Sequence, residues 1–194
     1  MKPEVILNAV NPMRHGRIRN YIAPGLTSWL IGGSGHGMVR LFSSDRDTHE
    51  LIVPHSHRFD FTCVVLRGKV TQVLYLETGR ADQGNAYAVG KLKTQPGGFG
   101  RYDFEPGKKP EYFSETEYEY LAGDTYRMRR HEIHSIRFSR GAEVLFLEGP
   151  EMASESKVLE PWSDGRRVPT FVTHPWMFDR NPDPGVTITA VSEE

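Results

Sequence analysis

An all-β fold, an antiparallel sandwich or barrel, is what this sequence predicts, and three observations predict it. From residue 37 onward the apolar runs are short and rich in β-branched and aromatic residues. Turns carrying glycine separate them at close spacing. Sustained helical periodicity is scarce, so helices cannot supply the second layer that a sheet needs to bury its apolar face.

Taken in order, residues 14–31, "RHGRIRNYIAPGLTSWLI", predict one short peripheral helix before Pro24 and then an apolar stretch. Strands follow at "GMVRLFSS" (37–44), "HELIVPHSH" (49–57), "FTCVVLRGKVTQVLYLE" (61–77), "YRMRRHEIHSIRF" (126–138) and "AEVLFLEGP" (142–150). The third of these reads as a hairpin turning at "RGK". Within it Val70, Gln72, Leu74 and Leu76 alternate with Lys69, Thr71, Val73 and Tyr75. "IRFSRGAEVLFLE" repeats the device with "SRGA" as its turn. Residues 79–116, rich in Gly, Pro and charge, predict a long excursion, a lid, binding loop or interface arm that could carry a ribbon of its own. From Pro161 to 194 the Trp- and Pro-bearing tail is expected to wrap the core in extended form.

With 194 residues, 38% of them hydrophobic and 11% aromatic, the chain has enough for one domain, 1–194, with its barrel core at about 37–150. Lys and Arg total 24 against 25 Asp and Glu, so the net charge of −1 gives no reason to expect nucleic acid or an acidic membrane. Small molecules are the default partners that remain. The lone Cys63 excludes an intramolecular disulfide, and the first twenty residues lack a signal peptide's unbroken apolar stretch, so a cytoplasmic location is expected. No window approaches the ~18 consecutive apolar residues of a membrane span.

The candidate chemistry lies in "PHSHRFDF" (54–61). Alternate residues of a strand point to one side, so His55 and His57 share a face with Val53, Phe59 and Phe61. Two imidazoles at i and i+2 on an apolar face can converge on one metal ion; hydrogen-bonded polar residues at a barrel mouth are the bland alternative. A distant strand that brings a third histidine favours the metal, and "RRHEIHSIRF" offers His131 and His134.

The order H-x-H, a β run closing on "LRG", and a later strand-borne His followed by a turn and another strand resembles the two motifs of the cupin superfamily. The resemblance covers roughly residues 37–150 and implies a cupin-type double-stranded β-helix, or jelly-roll, barrel. The family's glutamate, four or five residues after the second His, is replaced here by Phe61 and Thr62. A cupin with histidines and no carboxylate resembles the thiol dioxygenases of the cysteine dioxygenase type. That likeness implies that His55, His57 and His134 hold Fe(II), with open positions for a small thiol-bearing substrate and O2. Asp60 could stand in for the lost glutamate as a fourth ligand, but it has the wrong parity, and an outward turn contact suits it better.

The family also uses an arginine to hold the substrate carboxylate and a tyrosine to assist oxygen chemistry. Arg40 is the candidate for the first role, against a plain edge-strand charge; Tyr126, with Tyr75, is the candidate for the second, against a core or rim aromatic. Cys63 reads as a small buried hydrophobe. Two other readings remain open: a non-oxidative, isomerase-like cupin using Zn, Mn or Ni, and a non-enzymatic binding or sensing barrel, for which a homodimer would suit the long excursion and the tail.

Strand parity separates the two later histidines. On one unbroken strand over 126–138, His134 shares a face with Tyr126, Met128, Ile136 and Phe138, whereas His131 shares one with Arg127, Arg129 and Arg137. His134 is therefore expected inside and His131 in water.

Overall fold

The apolar runs pair as antiparallel strands in a computed structural model that describes residues 2–21, 23–34, 37–48, 53–94 and 102–170. In chain order the strands are β1 (His15–Ile18), β2 (Leu26–Ser34), β3 (Gly37–Ser44), β4 (Phe61–Arg67), β5 (Lys69–Glu77), β6 (Asn85–Thr94) and β7 (Tyr102–Glu105). They continue as β8 (Pro110–Leu121), β9 (Thr125–Met128), β10 (Ile133–Phe138), β11 (Glu143–Glu148), β12 (Glu155–Ser163) and β13 (Arg166–Arg167). One sheet has the order β1-β2-β3-β11-β4-β9; the other runs β10-β5-β8-β6-β12-β13, with β7 on the side of β6. The chain crosses between sheets as it passes through β3, residues 53–57, β4, β5, β8, β9, β10 and β11. Strands from its two ends thus lie side by side, β11 between β3 and β4. This is jelly-roll topology, an all-β fold.

The core explains the alternation. Phe42, Phe61, Cys63, Val65, Val70, Ile136, Phe138, Val144 and Phe146 face one another between the sheets. The other side of the first sheet, with Leu41, Leu66 and Leu145, is covered by helix α1 (Pro3–Val10) through Leu7 and Val10. The helix thus lies earlier than residues 14–31 suggested. Proline at its first turn starts it and Asn11-Pro12 ends it, while the expected helical region gives β1, which pairs with β2. No helix among the described residues is long and apolar enough to cross a membrane.

The β4–β5 hairpin turns at Gly68, whose φ of +70° suits glycine and where a Cβ would sit 2.8 Å from Ala142 Cα. Both faces of β5 are buried: Val70 and Gln72 toward the first sheet, Val73 and Tyr75 away from it. The second face has its own cluster, with Phe113, Ile133 and Leu159. That cluster exists because 79–116 is a ribbon grown out of the β5–β8 hairpin. Its strand β6 pairs with β8 at one end and with β12 along its length. Residues 95–101 of this stretch and 171–194 of the tail lie outside the described residues, as do 49–52 of "HELIVPHSH".

Residues 53–57 close the second sheet on itself. Ser56 donates its N–H to Lys157 O (2.9 Å) and Pro54 O accepts the Leu159 N–H (2.9 Å), tying the segment to β12. On the other side His55 and His134 exchange both backbone hydrogen bonds, at 2.9 and 3.0 Å. The strand that carries the first two histidines is therefore gripped along both edges.

Candidate metal centre

Three histidines meet on the inner face of the second sheet, and the backbone dictates that they should. His55 and His134 are direct cross-strand neighbours, so their side chains leave the same face side by side. His57, two residues on, returns to that face. The intervening Ser56 points the other way, is buried, and takes the Lys157 N–H on its hydroxyl at 2.8 Å. The ring centroids form a nearly equilateral triangle of 4.8, 5.1 and 5.1 Å. One ligand nitrogen from each ring lies within 4.8 Å of the others.

His134 faces inward, as parity required, and His131 is exposed. The unbroken strand over 126–138 is not formed. A turn at 129–132 separates β9 from β10, closed by Glu132 N–H to Arg129 O at 3.0 Å and by Arg129 N–H to the Glu132 carboxylate at 2.6 Å. The turn spans four residues, an even number, so the parity that links Met128 to His134 survives it. Asp60 serves this turn rather than the histidines: its Oδ1 accepts the Arg130 N–H at 2.9 Å, and His57 N–H is held by Arg130 O at 3.0 Å. The Arg130 N–H, with the nearby Arg130 and Arg127 charges, holds the Asp60 carboxyl below its usual range against a partial desolvation.

The protonation pattern of the rings follows from their partners. His55 Nδ1 lies 2.8 Å from Val53 O and His134 Nδ1 lies 3.1 Å from Gln72 Oε1, both acceptors. Each Nδ1 must then carry the proton, which leaves the Nε2 lone pair for the cluster. His134 Nε2 sits 2.8 Å from His57 Nε2. Two lone pairs at that distance repel, so a proton or a cation has to lie between them. This donor set fits a metal: three imidazoles, two of them oriented by outer partners, suit Fe(II), Zn, Mn or Ni.

The surroundings are aromatic. Phe61 stands edge-on to His57 with centroids 4.7 Å apart and lies 5.6 Å from His134; Phe59 is 5.3 Å from His57. Phe146 closes the wall, 4.8 Å from Phe61. Burial in it, and then the nearby His55, push the His134 pKa well below the usual histidine range. A histidine kept neutral in the fold but protonated once unfolded makes the unfolded state the stronger proton binder below the ordinary pKa. The metal-free protein is therefore expected to lose stability as pH falls below about 6.5, by up to ~1.4 kcal/mol per pH unit for this one proton. Urea unfolding at pH 7.5 and 5.5 checks this, with His134→Gln flattening the dependence. Asp60, with its depressed pKa, contributes the same sign only below the usual carboxylate range.

Arg40 lies on the face of β3 that carries Phe42 into the core, opposite Phe146 in the ladder. Its guanidinium sits over Tyr21 at 5.7 Å and donates to Ser28 Oγ at 3.3 Å. Among the described residues no carboxylate pairs with it. Tyr126 is buried in the core: its ring lies 4.5 Å from that of Tyr120, tilted by 32°, it stands opposite Cys63, and its hydroxyl faces the Gln72 amide. Burial raises the Cys63 thiol to about 12, which suits a small hydrophobe and not a nucleophile. Sequence reasoning passed over Gln72 and Ser56. The signal for Gln72 was present, an amide at the centre of the otherwise apolar set Val70, Leu74, Leu76.

No protein-family model matches the chain, and no curated protein matches it in sequence. Among solved structures it is similar to hydroxypropylphosphonic acid epoxidase from S. wedmorenis, at 10% identity and a TM-score of 0.44 over 71% of this chain and 56% of that one. It is also similar to KdgF from Halomonas sp., at 14% identity and 0.39 over 70% and 88%, respectively. A third is an RmlC-like cupin from Shewanella frigidimarina, at 15% and 0.36 over 64% and 77%. The chain spans little more than half the length of the epoxidase. The functional reading rests on the histidines and their neighbours.

Proposed function

We propose that this protein is a metal-dependent enzyme, a mononuclear Fe(II) dioxygenase that oxidises the sulfur of a small thiol carboxylate, R–SH + O2 → R–SO2H. The observation that carries the proposal is the convergence of three imidazoles, with no carboxylate among the described residues joining them. The thiol chemistry is supported by the sequence resemblance to three-histidine thiol dioxygenases. Fe(II) at the three nitrogens would supply the redox capacity that O2 chemistry needs and open positions for both reactants.

The chain's own residues do the rest. His55, His57 and His134 stay neutral and add no negative charge, so a thiolate brings the first anion to the site. Arg40, half-buried and without a carboxylate partner among the described residues, takes the substrate carboxylate in a charge-assisted pair. Phe59, Phe61 and Phe146 exclude water, so that contacts made there act at low dielectric. The reactants are the small molecule and O2.

Purified protein, loaded with Fe(II), is expected to consume O2 with a panel of small thiol carboxylates and to release sulfinic acids, read by oxygen electrode and mass spectrometry. Arg40→Met should raise KM about 10–100-fold for carboxylate substrates, and far less for the matching amides. Absence of turnover across the panel overturns the thiol reaction. An all-imidazole set is also a Zn(II) set, so a non-oxidative reaction restored by Zn, Mn or Ni would replace it.

A further inference from the structure

We propose that Gln72 is a positioning residue of the metal centre, whose side-chain carbonyl selects the tautomer in which His134 presents a lone pair to the metal. This rests on the metal-binding reading above. His134 and Gln72 are 3% and 1% exposed, so water cannot stand in for either partner. Neutral imidazole has one N–H and one lone pair, and the Nδ1 contact decides which nitrogen has which. With Gln72 Oε1 at Nδ1, the proton is held there and Nε2 is a ligand. Were the amide reversed, its N–H would donate to Nδ1, and His134 would aim an N–H at His57.

The far end of the amide faces the Tyr126 hydroxyl, a group that can accept or donate, so the orientation of the amide is set at its His134 end. The resulting arrangement is costly. Gln72 Nε2 and Tyr126 Oη are both buried and make no hydrogen bond of normal length. A buried polar atom without a partner costs about 1–3 kcal/mol, and a leucine among Val70, Ile136 and Leu74 would avoid one such cost. Packing therefore does not account for an amide at this position; the contact with His134 does. Outer partners of this kind set ring orientation and ligand basicity, and their loss typically lowers metal affinity 10–100-fold.

The tautomer can be read without metal, by long-range 1H–15N correlation spectroscopy of the histidine rings in the metal-free protein. Wild type is expected to show His134 protonated at Nδ1, and Gln72→Leu to shift it toward the Nε2–H form. Titration with Co(II) and Zn(II) should show 10–100-fold weaker binding by Gln72→Leu at a nearly unchanged Tm, and recovery in Gln72→Glu, which restores an acceptor. A wild-type His134 protonated at Nε2, or a folded Gln72→Leu that binds both ions like wild type, overturns the assignment. Wild-type protein that binds neither ion overturns the metal reading itself, and the Gln72 role falls with it. Should Gln72→Glu fail to fold, the leucine variant and the tautomer decide the matter.

Discussion

His134→Ala is expected to lose metal binding by more than the ~10–100-fold seen for outer partners, whereas His131→Ala should bind like wild type. Only three nitrogens converge among the described residues, and His134 supplies the one most deeply buried. A small side chain there cannot be replaced by a neighbour, since Asp60 is committed to the Arg130 N–H and Gln72 offers an amide. His131 sits in the exposed turn between β9 and β10, where its imidazole interacts with Asp60 across solvent. Removing His134 also leaves Gln72 Oε1 without its donor, at a cost of about 1–3 kcal/mol. His55→Ala, at a half-exposed position, is the companion that keeps the fold. Metal content and Co(II) titration, read beside circular dichroism, check all three. Near-normal affinity in folded His134→Ala would remove the third ligand from the site.

The sheet was legible because its physics is local. Gly68 and Gly141 mark hairpin turns with φ of +70° and +77°, and alternation around them set the inward faces of β4, β5 and β11. The H-S-H spacing was legible for the same reason, since period two is all that strand geometry asks. What escaped were contacts between residues far apart in sequence. Nothing in "GNAYAVGKLK" says that β6 will meet β12 some seventy residues later, so 79–116 read as an excursion with a ribbon of its own and not as part of the main sheet. The turn at 129–132 was passed over because 126–138 was read as one strand, although Arg129, Arg130, His131 and Glu132 are four polar residues in a row that interrupt its alternation. His134 came out correctly placed because that turn preserves parity. The amide of Gln72 could be seen in the stripe of β5, but its partner, 62 residues away, could not.

Phe61→Ala is expected to cost about 3–5 kcal/mol of stability and to weaken metal binding as well, whereas Phe61→Leu should cost less than ~1.5 kcal/mol and keep the metal. Phe61 is 3% exposed and opens β4, paired to Met128 on one side and Glu148 on the other. Its ring touches both His57 and His134 and rests on Phe146, so one side chain fills the core and fixes two ligand rings. Truncation removes those contacts and leaves a cavity beside imidazoles, polar enough to admit water. Water there would raise the His134 pKa back toward its ordinary value, because burial is the main cause of its depression. The acid sensitivity of the metal-free variant should then shrink even as its stability falls, since folded and unfolded states would bind protons more nearly alike. Leucine fills most of the volume and keeps the water out. Denaturant unfolding at two pH values, with Co(II) titration, separates these effects: a Phe61→Ala protein as stable as wild type would mean that the aromatic wall is not packed against the histidines.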